Sequence, residues 1–213
     1  MTKLKGILLT EGMHGMISQV EGLAKALDIN YSHHTVETKG FWKVIPPKLT
    51  PISDSVFKKI ECEDVDLIIS CGRKSIIPSL FLKKNSKKKV FNIHIQNPKI
   101  KLDNFDLVVV PEHDNLDGHN VLKTKGAIHY LTSEEIEKDK EYLFSISSKL
   151  KDKNIISLII GGPTQYYDYS DRNIQEIFSK VNYLVKENNL NLVVIPSMRT
   201  PKGTIEHAKI YFG

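Results

Sequence analysis

Phe91-Asn92-Ile93-His94-Ile95 closing on Gln96-Asn97-Pro98, and Phe105-Asp106-Leu107-Val108-Val109-Val110 closing on Pro111-Glu112-His113-Asp114, are two apolar runs of strand length that each end in a polar cluster. Short apolar runs of this kind read as strands buried in a parallel sheet. In open α/β sheets ligands bind in the crevice outside the carboxyl ends of the strands, so polar groups gathered there read as a site rather than a core.

Working outward, strands and helices alternate. Leu4 to Thr10 reads as a buried strand, Glu11 to Gly15 as a glycine-bearing turn, and Met16 to Leu27 as a helix with Ile17, Val20, Leu23, Ala24 and Leu27 on one face. A second strand is expected near Ile29 to Val36. An irregular stretch with Phe41, Trp42 and Pro46-Pro47 follows, then a short helix from Ser53 to Ile60. Asp66 to Ser70 reads as the third strand, running through Cys71-Gly72-Arg73-Lys74-Ser75 into a helix that ends near Lys84. From Thr132 a long polar helical segment, Ser133 to Lys151, suggests a linking helix. The alternation then restarts with strand Ile155 to Ile160, helix Asp171 to Asn188 and strand Leu190 to Ile195. The expected organisation is a Rossmann-like parallel-sheet domain over 1–131, a linking helix over 132–152, and a partial second domain over 153–213. Two strands are marginal as a sheet of their own, which suggests a C-terminally truncated chain or completion by another chain.

With 213 residues, 40% hydrophobic and 26% charged, the composition is that of an ordinary globular protein. No apolar run approaches the roughly 20 residues needed to span a bilayer, and a cytoplasmic location is the default. Cys62 and Cys71 lack zinc or disulfide spacing, so both thiols are expected to be free. The net charge of +5 and the Lys83-Lys84, Lys87-Lys88-Lys89 run invite a nucleic-acid reading, but nothing aromatic is interleaved and a solvated turn accounts for the run. Only Arg73, Arg172 and Arg199 are arginines. Arginine's planar fork binds phosphate or carboxylate in a bidentate manner that lysine cannot copy, so its presence just after strands at Arg73 and Arg199 points to a geometric demand.

Gly12-Met13-His14-Gly15 lies where backbone N–H groups and a helix N-terminus can hold an anion, although the spacing is not the dinucleotide fingerprint. His14 reads either as a general base or as a loop histidine capping the helix. Gly72-Arg73 repeats the arrangement one unit later, as a ligand contact or a plain turn. Gln96 and Asn97 offer donors and acceptors suited to sugar hydroxyls or a base edge, or form a simple turn. In Glu112-His113-Asp114 either carboxylate can orient the imidazole or raise its pKa, but neighbours on a strand face opposite ways, so only part of the trio can share a site. His94 reads as a packed, hydrogen-bonded histidine, and His33-His34 carry no assigned role. In the second half, Gly161-Gly162-Pro163-Thr164 lets backbone approach a bound group, and Ser197-Met198-Arg199-Thr200-Pro201 brings hydroxyls and a guanidinium beside it, an arrangement suited to a diphosphate. The tyrosines of Tyr166-Tyr167-Asp168-Tyr169 cover that group or pack between domains. No P-loop pattern occurs.

Thr10 to Gln19, Ser70 to Ser75, Ile95 to Pro98, Asp106 to Asp114 with Asn120-Val121-Leu122, Ile160 to Pro163 and Ser197 to Pro201, taken in order, resemble the mitochondrial-fission-like family of plant elongated-mitochondria proteins and their bacterial relatives. The resemblance spans nearly the whole chain. It implies a GT-B-like architecture of two Rossmann-like domains, the second incomplete here because family members are usually longer. Met16 stands where the family often places Asn or His, so a polar role there passes to His14.

GT-B logic implies a glycosyltransferase with a nucleotide sugar as substrate and no separate cofactor. Metal is not needed in that scheme, because helix N-termini and basic side chains can stabilise the leaving diphosphate. The catalytic candidates are His14, His113 and Glu112. Gly12, Gly15, Gln19, Gly72, Arg73, Gln96, Asn97 and Asp114 face the acceptor; Gly161, Gly162, Pro163, Thr164, Ser197, Arg199 and Thr200 face the donor diphosphate. The acceptor class would be a lipid or envelope glycan, with peripheral contact at the inner membrane face. The alternatives are a non-catalytic interaction protein in membrane or organelle division, and a nucleotide-binding regulatory domain.

Overall fold

The computed structural model of the chain describes residues 3–61, 64–167 and 169–213. It divides into two compact units, Met1–Thr132 and Ser133–Gly213.

The first unit runs β1 (Lys5–Thr10), α1 (His14–Ala26), β2 (Asn30–Thr35), β3 (Leu67–Cys71), α2 (Ile76–Asn85), β4 (Phe91–Ile95), β5 (Leu107–Pro111) and β6 (Val121–Thr124). These strands form one six-stranded sheet in the order β2-β1-β3-β4-β5-β6, and every neighbouring pair is parallel. The central strands are apolar at successive positions because both faces are covered. Leu8, Ile69, Ile93, Ile95 and Val109 pack with Val20 and Ala24 of α1. Ile7, Leu9, Ile68, Val108 and Val110 pack with Ile76, Ile77 and Leu80 of α2. One helix on each face is the doubly wound arrangement, and the parallel α/β fold read from the sequence is the fold observed.

Differences from the sequence reading have physical causes. Ser53 to Ile60 is not a helix: only Asp54–Val56 forms a single 3-10 turn, with the Ser53 side chain accepting the Ser55 N–H, and Phe57 pairs with Thr38 in an antiparallel bridge. Val56 and Phe57 are both buried, and Phe57 leaves the turn with extended backbone, φ −135° and ψ 163°, which ends any helix there. β6 was missed because four residues with Leu122 and Lys123 exposed carry little apolar signal. Beyond β6 the chain returns across α1, where a Cβ on Gly22 would lie 2.9 Å from the Tyr130 nitrogen, and Lys25 Nζ sits 5.0 Å from the Tyr130 ring centroid.

The second unit holds α3 (Ser133–Ile146), β7 (Ile155–Ile160), α4 (Asp171–Glu187), β8 (Asn191–Pro196) and α5 (Lys202–Phe212). α3 stops short of the expected Lys151, and Ser148–Lys151 is a 3-10 turn. β7 and β8 are parallel, with Ile160 opposite Pro196. Ser170 caps α4 by accepting the Asn173 N–H. Ile160, Ile174, Phe178 and Ala208 form the core, with Leu158, Val194, Tyr169, Tyr211 and Phe212 against it. α5 was not expected from sequence; it is held by the apolar contacts of Ala208, Tyr211 and Phe212 rather than by a marked cap.

Candidate functional site

Strand order reverses between β1 and β3, because the chain leaves β1 for β2 on one side and continues from β3 on the other. That switch point is where an open α/β sheet leaves a crevice at its carboxyl edge. Glu11 and Gly12 follow β1, and Gly72 and Arg73 follow β3. Gly12 has φ +82° and Gly72 φ +93°, conformations that only glycine adopts without strain. A Cβ on Gly72 would lie 2.7 Å from Met16 Sδ and 3.0 Å from Glu11 Oε1.

A carboxylate joins these loops. Glu11 Oε1 accepts the Lys74 backbone N–H at 3.0 Å, and Glu11 Oε2 lies 3.1 Å from Lys74 Nζ. The carboxylate therefore sits on the turn that the sequence offered to an anion. The only local signal was a carboxylate between a strand and its glycine. Beneath the first loop, the Thr10 hydroxyl accepts the Gly12 N–H at 3.1 Å and shares a 2.9 Å hydrogen bond with His33 Nε2. His33 Nδ1 lies 3.8 Å from Glu21. Burial holds the His33 pKa below the usual imidazole value, against the pull of Glu21 and with the help of His34. His33, given no role from sequence, thus buttresses the first loop.

The other predicted residues lie along the same edge, in different states. α1 begins at His14 and has no side-chain cap, which removes the capping role considered for that histidine. Gln19 Nε2 donates to the Gly15 carbonyl at 3.1 Å, and a Cβ on Gly15 would meet nothing within 4 Å. Arg73 is exposed, and its Nη2 donates to the Lys43 carbonyl at 2.8 Å. Gln96 has φ +87°, a strained value for a non-glycine residue of the kind that gathers at functional sites. Asn97 Oδ1 accepts the Lys99 N–H in a local turn. Glu112–Asp114 is a 3-10 turn ended by a left-handed Asn115, not a strand continuation, so alternation does not govern where its side chains point. His113 Nε2 lies 3.7 Å from Asp114 Oδ1. His14 follows β1 and His113 follows β5, with β3 and β4 between them. The strands they follow are three spacings, roughly 14 Å, apart.

Two buried groups are structural. His94 Nδ1 bonds Ser70 Oγ at 2.9 Å, its ring stacks on Phe105 at 5.1 Å, and burial drives its pKa down to about 3. This is the packed histidine expected from sequence. Cys71 is a free, buried thiol, pushed up to about 12 by burial and by the charge of Glu11. Cys62 and Asp168 lie outside the described residues.

In the second unit the loops after β7 and β8 do meet. A Cβ on Gly162 would lie 2.6 Å from the Arg199 Cβ, so only glycine permits this approach. The Thr200 hydroxyl faces the Ile160 carbonyl at 2.7 Å and the Gly161 carbonyl at 2.8 Å as donor, and accepts the Ser197 N–H at 2.8 Å. Thr200 therefore ties the strand ends together, while Arg199 stays exposed beside them. Ser197 Oγ accepts the Arg199 N–H. Thr164 Oγ1 accepts the N–H groups of Tyr166 and Tyr167, whose side chains are exposed next to the exposed Pro163. Tyr169 packs into the unit's core. Among the described residues no cluster of His, Cys, Asp or Glu is placed to hold a metal ion.

A doubly wound parallel sheet with polar loops at its carboxyl edge defines a Rossmann-like α/β protein. The family model for Mitochondrial fission ELM1 matches residues 14–210, and the chain belongs to that family. A 48-residue segment, 22% of the chain, is 35% identical to Mitochondrial fission protein ELM1 of Arabidopsis thaliana and spans 11% of that protein's length. No solved structure matches the chain.

Proposed function

We propose that this member of the Mitochondrial fission ELM1 family is a glycosyltransferase-like protein that uses a nucleotide sugar. The observation that supports the reading is the packing of Gly162 against the backbone and Cβ of Arg199, which brings the loops after β7 and β8 together with an exposed arginine on one of them. Arg199 would bind the diphosphate and take up the charge of the leaving group as the bond from sugar carbon to phosphate oxygen breaks. The acceptor hydroxyl would give up its proton to a base as its oxygen bonds the sugar carbon.

The test is calorimetric titration of nucleoside diphosphates and nucleotide sugars into the protein, with Arg199→Ala beside it. Binding that the substitution weakens about tenfold or more is expected for a charge-assisted contact. Absence of binding across the panel would refute the reading and favour the second one, a non-catalytic interaction protein. That second reading draws on the Thr200 hydroxyl and the Glu11 carboxylate, both engaged within the protein rather than turned toward a ligand.

A further inference from the structure

Residues 38–53 link β2 to the buried Val56-Phe57 pair through two short 3-10 turns, Gly40–Lys43 and Pro47–Leu49. One set of side chains faces inward: Trp42, Ile45, Pro47 and Thr50 line a small cavity with Val56, Arg73 and Ile77. The backbone is pinned by the Arg73 bond to the Lys43 carbonyl and by the Thr50 hydroxyl donating to the Pro46 carbonyl. The other set faces out: Phe41 is 66% exposed, Val44 73%, Leu49 67% and Ile52 42%. A segment tied down by these bonds that holds four large apolar side chains in water calls for an explanation beyond core packing.

Within the segment the charge has one sign, and Asp54 follows directly after it. Residues 38–53 contain Lys39, Lys43 and Lys48 and no Asp or Glu, and the preceding Glu37 is paired with Lys58 at 2.6 Å. The lysine run at 83–89 differs, because Lys83 is paired with Asp106 and Lys88 with Asp66. It also lies at the opposite, amino edge of the sheet, just before β4.

We propose that residues 38–53 are a lipid-contacting surface that seats the first unit on an anionic phospholipid bilayer. Apolar side chains on turn tips interleaved with lysines enter a headgroup layer, where the lysine stems and ammonium groups are accommodated together. A protein partner fits less well, since the cores of protein interfaces are depleted in lysine. Among the described residues no helix is long and apolar enough to cross a membrane, so the contact is peripheral. The Arg73 bond places this surface beside the crevice at the carboxyl edge, which would bring that crevice to the bilayer. The proposal stands independently of nucleotide-sugar binding.

The test is co-sedimentation of the full chain with phosphatidylcholine vesicles, with and without phosphatidylglycerol. Salt-sensitive binding to the anionic vesicles alone is expected. Phe41→Ser with Val44→Ser should weaken it about tenfold, and Lys43→Gln with Lys48→Gln about 25-fold, from about fivefold per lysine. Circular dichroism should be unchanged, because these side chains lie outside the core. Lys84→Gln with Lys87→Gln, at the other edge, should leave binding intact. Lack of binding to anionic vesicles, equal loss with the remote lysine pair, or binding indifferent to the Phe41 and Val44 changes would each overturn the proposal. So would loop-dependent capture of a protein without vesicle binding.

Discussion

Replacing Thr200 with valine keeps the shape of the side chain and removes one hydroxyl. That hydroxyl has a single proton to share between the carbonyls of Ile160 and Gly161, 2.7 Å and 2.8 Å away. It also accepts the Ser197 N–H, but that N–H retains a second acceptor in the Ile160 carbonyl at 3.0 Å. The loss is therefore one good donor to two strand-end carbonyls at a buried residue, about 2 kcal/mol. Amide hydrogen exchange reads this locally, and 2 kcal/mol corresponds to about 30-fold less protection. The effect should appear in β7 and β8, with the amides of β1 and β3 unchanged as an internal control. Thr200→Ser should restore most of the protection. Equal protection in the valine variant, or equal loss in the serine variant, would refute the assignment of Thr200 as the tie between the strand ends.

His94 gives a pH-dependent expectation. Its folded pKa of about 3 lies below the value of a free imidazole, so between those values the unfolded chain binds a proton that the folded one does not. Stability should fall as pH drops from about 6.5 toward 4, by at most ~1.4 kcal/mol per pH unit from this group, and urea unfolding of His94→Gln should show a flatter profile. The glycines of the first unit should separate by conformation. Gly72→Ala, at positive φ and against Met16 Sδ, should destabilise by about 1–3 kcal/mol, whereas Gly15→Ala, with open space in the first turn of α1, should be neutral or stabilise by up to about 1 kcal/mol in thermal melts.

The runs Ile7-Leu8-Leu9, Ile68-Ile69 and Val108-Val109-Val110 were legible because a strand buried on both faces has no polar alternate, and chain order then implied parallel pairing. β6 was not, since an exposed edge strand needs few apolar residues. The edge positions of Gly12, Gly72, Gln96 and Arg199 were legible because strand ends are. Pairings were another matter. Nothing within a few residues of Glu11 announces Lys74, 63 positions later, and Thr200 carries the same hydroxyl whether it meets a phosphate or a carbonyl. His33 was passed over for a related reason: Thr10 lies 23 residues away, and only the β1 to β2 register brings the two together.

The Glu11 bridge makes the crevice a place of exchange rather than of simple occupancy. A tethered carboxylate on the Lys74 N–H cannot diffuse away, so an incoming anion must displace it and leave it solvated or give it a new partner. Weak monoanions therefore gain little at this turn. A ligand that also brings a hydroxyl for Glu11 to accept from would turn its own competitor into a contact.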